Sequence, residues 1–402
     1  MRMAVAINAR NALKRSRTMS TKTAAIESNR IRAGCMSGDK DIEARAPATI
    51  EGMLHGQATP EGTARFAARF PALRAAGFYR DAGGLHLSNL GLGTYLGEMD
   101  EQTDRAYAAA IGAAVRGGVN VIDTAINYRH QRSERSIGAA LAELDASGAA
   151  GRDELLICTK AGFLVPEAIP AGVLEERDVV GGMHSMAPAF LEDQIARSLA
   201  NLGLDAIDVF YLHNPETQLS FVSREEFLGR VTKAFTLLES LAAQGRIGAY
   251  GTATWEGYRK PGALQLHELA AVARGIAGDG HHFRWIQLPF NLAMTEAFTQ
   301  RTQQRGGEAV SLLEAADEAG LTVVASASLL QSRLSRGLPE ELAERLAGAS
   351  TDAQRAIQFT RSTPGIVTAL VGMSDTAHVE ENLGVASVSP LSRDAYLALF
   401  RG

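Results

Sequence analysis

The sequence is short of cysteine, of net charge and of long apolar runs, and each shortage removes a class of protein. Only Cys35 and Cys158 occur among 402 residues. Two cysteines cannot build a disulfide framework or a multi-cysteine zinc site, and this usage fits a reducing, cytoplasmic compartment. The formal net charge is -5, so neither a nucleic-acid footprint nor a polyacidic tail is visible at the level of the whole chain. No apolar run reaches the roughly 18 residues needed to span a bilayer, and no long apolar core with a cleavage site stands near the start, which argues against membrane insertion and secretion. No H-x-H or H-E-x-x-H string is present, which speaks against a metal-dependent hydrolase and against any metal site. What remains, 46% hydrophobic and 21% charged, is the composition of a globular protein with room for one large α/β domain, and its expected partner is a small molecule.

Residues 1–34 stand apart. They carry eight Lys or Arg against the single acid Glu27 and no aromatic side chain, and such a segment cannot bury a core. It reads as a disordered tail or an upstream start, with an organelle transit peptide, also basic and poor in acids, as the alternative. The organisation expected is a disordered basic extension over 1–48, an N-terminal extension and hairpin over 49–84, and the main domain over 85–402.

From Leu90 onward short β-branched or apolar runs alternate with amphipathic stretches, the signature of repeated βα units and a parallel sheet. The expected strands are 90–94, 119–124, 154–160, 207–213, 247–252, 283–289, 321–326 and 366–372. Eight strands point to a closed (β/α)8 barrel rather than an open doubly wound sheet. Ahead of them Gly83 and Gly84 open an expected hairpin that would plug the barrel's bottom. Two long interruptions, Phe163 to Pro188 and Leu329 to Ser350, follow strand C-termini and so belong to the face of a barrel that carries function.

Four proton-handling side chains converge on that face. Asp123 closes the second strand and Tyr128 follows on the next loop, while Lys160 ends the third strand and His213 the fourth. Groups from three different units meeting at one mouth form an active-site arrangement. The strings D-T-A-x-x-Y (Asp123 to Tyr128), S-E-x-x-x-G-x-A-L (Ser133 to Leu141), T-K (Thr159, Lys160), D-x-x-x-x-H (Asp208 to His213) and E-N (Glu381, Asn382) resemble, in this order and over roughly Leu85 to Ala386, those of the aldo-keto reductases.

The resemblance implies an NADP(H)-dependent, or NAD(H)-dependent, enzyme that interconverts an aldehyde, ketone or sugar carbonyl and its alcohol. Tyr128 would be the proton donor, Lys160 and Asp123 would tune it, and His213 would orient the carbonyl. The chemistry is coherent: hydride arriving at a carbonyl leaves negative charge on oxygen, which a proton donor within reach relieves. Free tyrosine, with a pKa of about 10, is a poor acid at neutrality, and a neighbouring ammonium favours its anion. A cofactor-binding redox sensor or regulatory subunit on the same fold is the competing function; retention of all four residue types argues against it.

For the cofactor the resemblance implies Gly93 and Thr94 with Asp123 at the mouth, Gln287 on the nicotinamide carboxamide, Thr254 where relatives carry an amide, and Ser328, Leu329 and Ser332 in one loop. It adds Gly372, Ser374, His378, Glu381 and Asn382 in another. Ser374 and the following helix N-terminus would hold phosphate through backbone N–H groups. Gln287 has a plainer reading as a buried structural amide. Three departures stand out: Arg129 replaces a frequent glycine and, with Arg132, is expected to hold an acidic substrate group or to be a solvated rim charge; His378 stands where many relatives place arginine; Gly372 and Met373 stand where those relatives have lysine and serine. His184 and Trp255 are candidate pocket walls, with ordinary loop packing as the alternative.

Overall fold

The computed structural model describes residues 53–401, so the basic segment and Cys35 lie outside the described residues. The eight barrel strands are β3 (Leu90–Gly93), β4 (Val121–Asp123), β5 (Leu156–Ala161), β8 (Ile207–His213), β9 (Ile247–Ala253), β10 (Phe283–Pro289), β13 (Thr322–Ser326) and β14 (Ile366–Gly372). They pair in parallel in chain order, and β14 returns to β3 to close the ring. Each expected strand is present with its ends shifted by at most two residues. Between them run helices such as Glu101–Arg116, started by the Asp100 carboxylate accepting from Thr103 N–H. Among the described residues no helix is long and apolar enough to cross a membrane.

The two-residue period of a strand sorts side chains between the barrel interior and the helices. In β8, Val209 and Tyr211 point inward among Val121, Leu156, Cys158, Trp285 and Val324, while Phe210 and Leu212 pack outward against the helical layer. His213 continues the inward register, as Lys160 does after Leu156 and Cys158, and Asp123 after Val121. Three functional side chains therefore form the top of the interior because they end inward-facing rows.

At the opposite end, β1 (Tyr79–Ala82) and β2 (Leu85–Ser88) form an antiparallel hairpin. Its turn puts Gly83 and Gly84 at φ +64° and +89°, left-handed values that glycine adopts without a Cβ clash. Leu87 enters the interior cluster. Ser88 N–H donates to Asn120 Oδ1 at 2.8 Å and Ser88 O accepts from Thr368 Oγ1 at 2.8 Å, so the hairpin closes the barrel's floor as expected. The insertion after β5 folds back through β6 (Val179–Val180) and β7 (His184–Ser185), an antiparallel pair, and β11 (Gln303–Arg305) and β12 (Glu308–Val310) form another ahead of β13.

Candidate active site

Lys160 is buried at the top of the interior, its ammonium donating to Asp123 Oδ1 and to Thr124 O, both at 2.6 Å. Asp123 Oδ2 accepts from Gln287 Nε2 at 2.8 Å. Burial pushes the Asp123 carboxyl up; the Lys160 ammonium and the Gln287 amide pull it back without cancelling that rise. Half-buried Tyr128 lies over this pair, with Lys160 Nζ 5.0 Å from its ring centroid. A cation there favours negative charge on the phenol oxygen.

His213 packs its ring edge-on to Tyr128 at 5.8 Å and to Phe163 at 5.1 Å. Burial, then the Lys160 charge and His184, hold its pKa well below that of a free histidine, so the ring is neutral. Its Nδ1 is buried with no hydrogen-bond partner among the described residues. An unpaired buried N–H costs more than an unpaired acceptor lone pair, which favours the tautomer with the proton on Nε2. A neutral N–H donor beside a phenol is suited to bind a carbonyl oxygen without competing for its proton.

Thr94 is buried at the end of β3 beside half-buried Gly93, and its hydroxyl donates to Thr124 Oγ1 at 2.8 Å. Thr254 donates its N–H to Gln287 O at 2.9 Å. Thr254 Oγ1, Ser328 Oγ and Asn382 Oδ1 are all buried with no hydrogen-bond partner among the described residues. Leu329 is half-buried and Ser332 exposed, in a loop that places Ala327, Leu330, Gln331 and Ser332 at positive φ. Four non-glycine residues in that region cost of order 1–2 kcal/mol each, a strain characteristic of binding loops.

The second loop differs in part from expectation. Gly372 and His378 are exposed, as is Glu381, and Ser374 is half-buried, but Met373 is fully buried and packs in the hydrophobic core. The helix Thr376–Leu383 begins with the Asp375 carboxylate accepting from Ala377 N–H at 2.8 Å. A carboxylate already caps that N-terminus, so it is not the open phosphate cradle that Ser374 suggested.

Arg129 and Arg132 also depart from expectation. Arg129, His130 and Gln131 have φ of +49°, +50° and +71°, a left-handed turn made without glycine. The Arg129 guanidinium is buried, donating to Glu98 O at 2.8 Å and Asp104 Oδ1 at 2.6 Å and lying over the Tyr107 ring. Arg132 reaches Asp104 Oδ2 at 2.9 Å. Both arginines thus tie the helix Glu101–Arg116 to the loop before it, where Tyr95 packs edge-on to Tyr128 at 4.9 Å; the buried Arg129 is not a solvated rim charge. Trp255 is 40% exposed, and its backbone N–H donates to Glu216 Oε1 at 2.8 Å.

A model of the aldo/keto reductase family matches residues 89–268, the span that holds all four converging side chains. Over that span the chain carries an aldo/keto reductase family domain. It is 27% identical over 341 residues to the D-threo-aldose 1-dehydrogenase of a Pseudomonas species, covering 79% of this chain and 93% of that one. It is 29% identical over 197 residues to the NADH-specific methylglyoxal reductase of Escherichia coli K12, covering 46% of this chain and 54% of that one. Among solved structures, an aldo/keto reductase from Klebsiella pneumoniae in complex with NADP and acetate superposes with a TM-score of 0.56 at 22% identity, covering 81% of this chain and 94% of that one. The likeness to that structure bears on the fold.

Two residues of this chain that the sequence did not single out are Phe163, against the His213 ring, and Gln218, buried behind it. Gln218 lies 34 positions from its partner His184, and no local pattern links the two. His184 itself, expected as a pocket wall, is fully buried behind His213, and burial pushes its pKa down to about 4. Unfolded histidine takes up a proton near pH 6.5, whereas the folded ring resists until about 4. The unfolded state therefore binds more protons across that window, and stability falls as pH falls through it. Relative to His184→Gln, the wild type should lose about 1.4 kcal/mol of stability per pH unit between roughly pH 6 and 4.5. Urea unfolding of both proteins over that range measures the difference, and parallel curves would show that His184 does not stay neutral.

Proposed function

We propose that this protein interconverts a small-molecule aldehyde, ketone or sugar carbonyl and its alcohol, using NADP(H) in preference to NAD(H), in the cytoplasm. The observation that carries this reading is the convergence of a phenol, a buried ammonium and a neutral imidazole at one mouth. The bound nicotinamide would supply or accept the hydride. Tyr128 passes a proton to the carbonyl oxygen, and Lys160, oriented by Asp123, favours the charge this leaves on the phenol. The Nε2 N–H of His213 holds the same oxygen in place.

The unpaired buried oxygens of Thr254, Ser328 and Asn382 fit a polar ligand laid across the ends of β9, β13 and β14. With Gln287 and the strained 327–332 loop they would hold the cofactor. His378 is exposed one helical turn before Asn382 on that helix. It grips a 2′-phosphate less firmly than an arginine, which is charged at every working pH and binds bidentately.

The test is turnover of NADPH and NADH against a panel of aldehydes, ketones and aldoses. We expect turnover with a modest NADPH preference, and a rise in the NADPH to NADH affinity ratio of about tenfold in His378→Arg, the scale of one charge-assisted contact. Tight binding without turnover would favour a sensor, and absence of both would refute the proposal. An unchanged ratio in His378→Arg would remove that position from the cofactor site.

A further inference from the structure

Gly162 begins the insertion after β5, and the chain returns to it through β7, where Phe163 and His184 pair across an antiparallel bridge. A Cβ at Gly162 would stand 2.5 Å from His213 O and 2.8 Å from His184 Nε2. Only glycine lets the returning strand press a histidine against the end of β8. There His184 Nε2 lies 2.8 Å from His213 O, and its Nδ1 lies 2.9 Å from Gln218 Nε2. Gln218 Oε1 accepts from Arg230 Nη1 at 2.6 Å, and Arg230 pairs with Glu226 on the helix Arg224–Ala243.

We propose that His184, set by Gln218 and Arg230, is a positioning residue that fixes His213 for the reaction. This assignment rests on the carbonyl-reducing reading of the site. The direction of each hydrogen bond follows from donor chemistry. Arginine has donors only, so the Gln218 oxygen accepts and its amide nitrogen donates. His184 Nδ1 must then accept, which places its one proton on Nε2, aimed at the His213 carbonyl. A protonated His184 would set an N–H against the amide N–H, and its burial favours the neutral form.

His213 needs such support for a local reason. Its Nδ1 has no hydrogen-bond partner among the described residues, so that nitrogen does not anchor the ring. Just beyond it the backbone turns left-handed at Asn214, φ +48°. The ring is held by packing on Phe163, which also lies edge-on to His184 at 5.2 Å, and the main chain is held by the His184 N–H. The insertion thus supplies both supports, from residues outside the four that converge on the mouth.

The experiment compares His184→Phe, which keeps ring volume and loses the donor, with His184→Gln, whose amide N–H can reach the same carbonyl. The readout is the single-turnover rate of NADPH-bound enzyme on a carbonyl that the wild type reduces, which excludes any unfolded fraction. A misplaced group costs up to about 10²-fold; we expect a fall on the order of 10-fold or more in His184→Phe and recovery of most of it in His184→Gln. Nitrogen-15 imidazole shifts of the wild type at pH 6 should report a neutral ring with its proton on Nε2. An unchanged rate in His184→Phe, an equal fall in both variants, or a cationic or Nδ1-protonated His184 would overturn the assignment. No turnover by the wild type would overturn the carbonyl-reducing reading as well, whereas turnover with an indifferent His184 overturns the positioning role alone.

Discussion

Tyr128→Phe is expected to lower kcat for carbonyl reduction by about 10²–10⁴ while leaving the dissociation constant for NADPH almost unchanged. The substitution removes one oxygen and its proton from a half-buried ring and keeps the ring faces that pack on Tyr95 and His213. It also keeps the face over the Lys160 ammonium, so the pocket's shape survives. What is lost is the hydroxyl of a group placed both above a buried cation and beside a neutral imidazole. His213 is no substitute acid, because a proton given up from a neutral imidazole leaves an anion. A variant that kept more than half of wild-type kcat, under conditions where chemistry limits the rate, would show that the proton comes from elsewhere.

Lys160→Met should destabilise the fold as well as silence it. Lys160 and Asp123 are both buried and meet at 2.6 Å, and removing one partner of such a pair typically costs about 3–5 kcal/mol because the other charge is left unpaired. The loss should depend on pH in a definite direction. Burial already pushes the Asp123 carboxyl up, and without the ammonium it rises further. A carboxyl whose folded pKa lies above its unfolded value binds more protons when folded, so stability falls as pH rises through the folded value. The deficit of Lys160→Met should therefore be larger at pH 8 than at pH 5. Adding Asp123→Asn should restore more than half of the loss, since the amide oxygen can still accept from Gln287 and no charge remains. A double variant no more stable than the single one, or a deficit flat with pH, would show that the pair is not the buried ionic contact described.

The barrel was legible because each strand advertises itself twice, by a β-branched or apolar run and by glycine or polar residues at its ends. The run IDVFYLH is the clearest case, since alternate residues fill the interior and the helical layer. Three of the four converging groups were legible for the same reason: Asp123, Lys160 and His213 end inward rows, so counting residues along a strand places them. Loops gave less. Arg129 reads as a free rim charge until Asp104, 25 positions earlier, is seen to hold it, and a left-handed turn of three non-glycine residues has no local sequence mark. Ser374 reads as a phosphate contact until Asp375 is seen to cap the helix. His184 looks like a pocket wall because nothing nearby in sequence names the Gln218 amide or the His213 carbonyl that bind it. In each case the deciding partner comes from a distant unit, and side-chain pairing across units is set by tertiary geometry rather than by period.

The claim on which the rest depends is that a hydride passes between a nicotinamide and a carbonyl carbon held at the mouth formed by Tyr128 and His213. It is tested most directly by incubating the protein with NADPH deuterated at the transferable position and a reducible carbonyl compound, then locating the label in the alcohol by mass spectrometry and proton NMR. One deuterium is expected on the carbinol carbon, with almost no labelled product from Tyr128→Phe. Alcohol without deuterium at that carbon, or labelled product formed equally well by the variant, would contradict it.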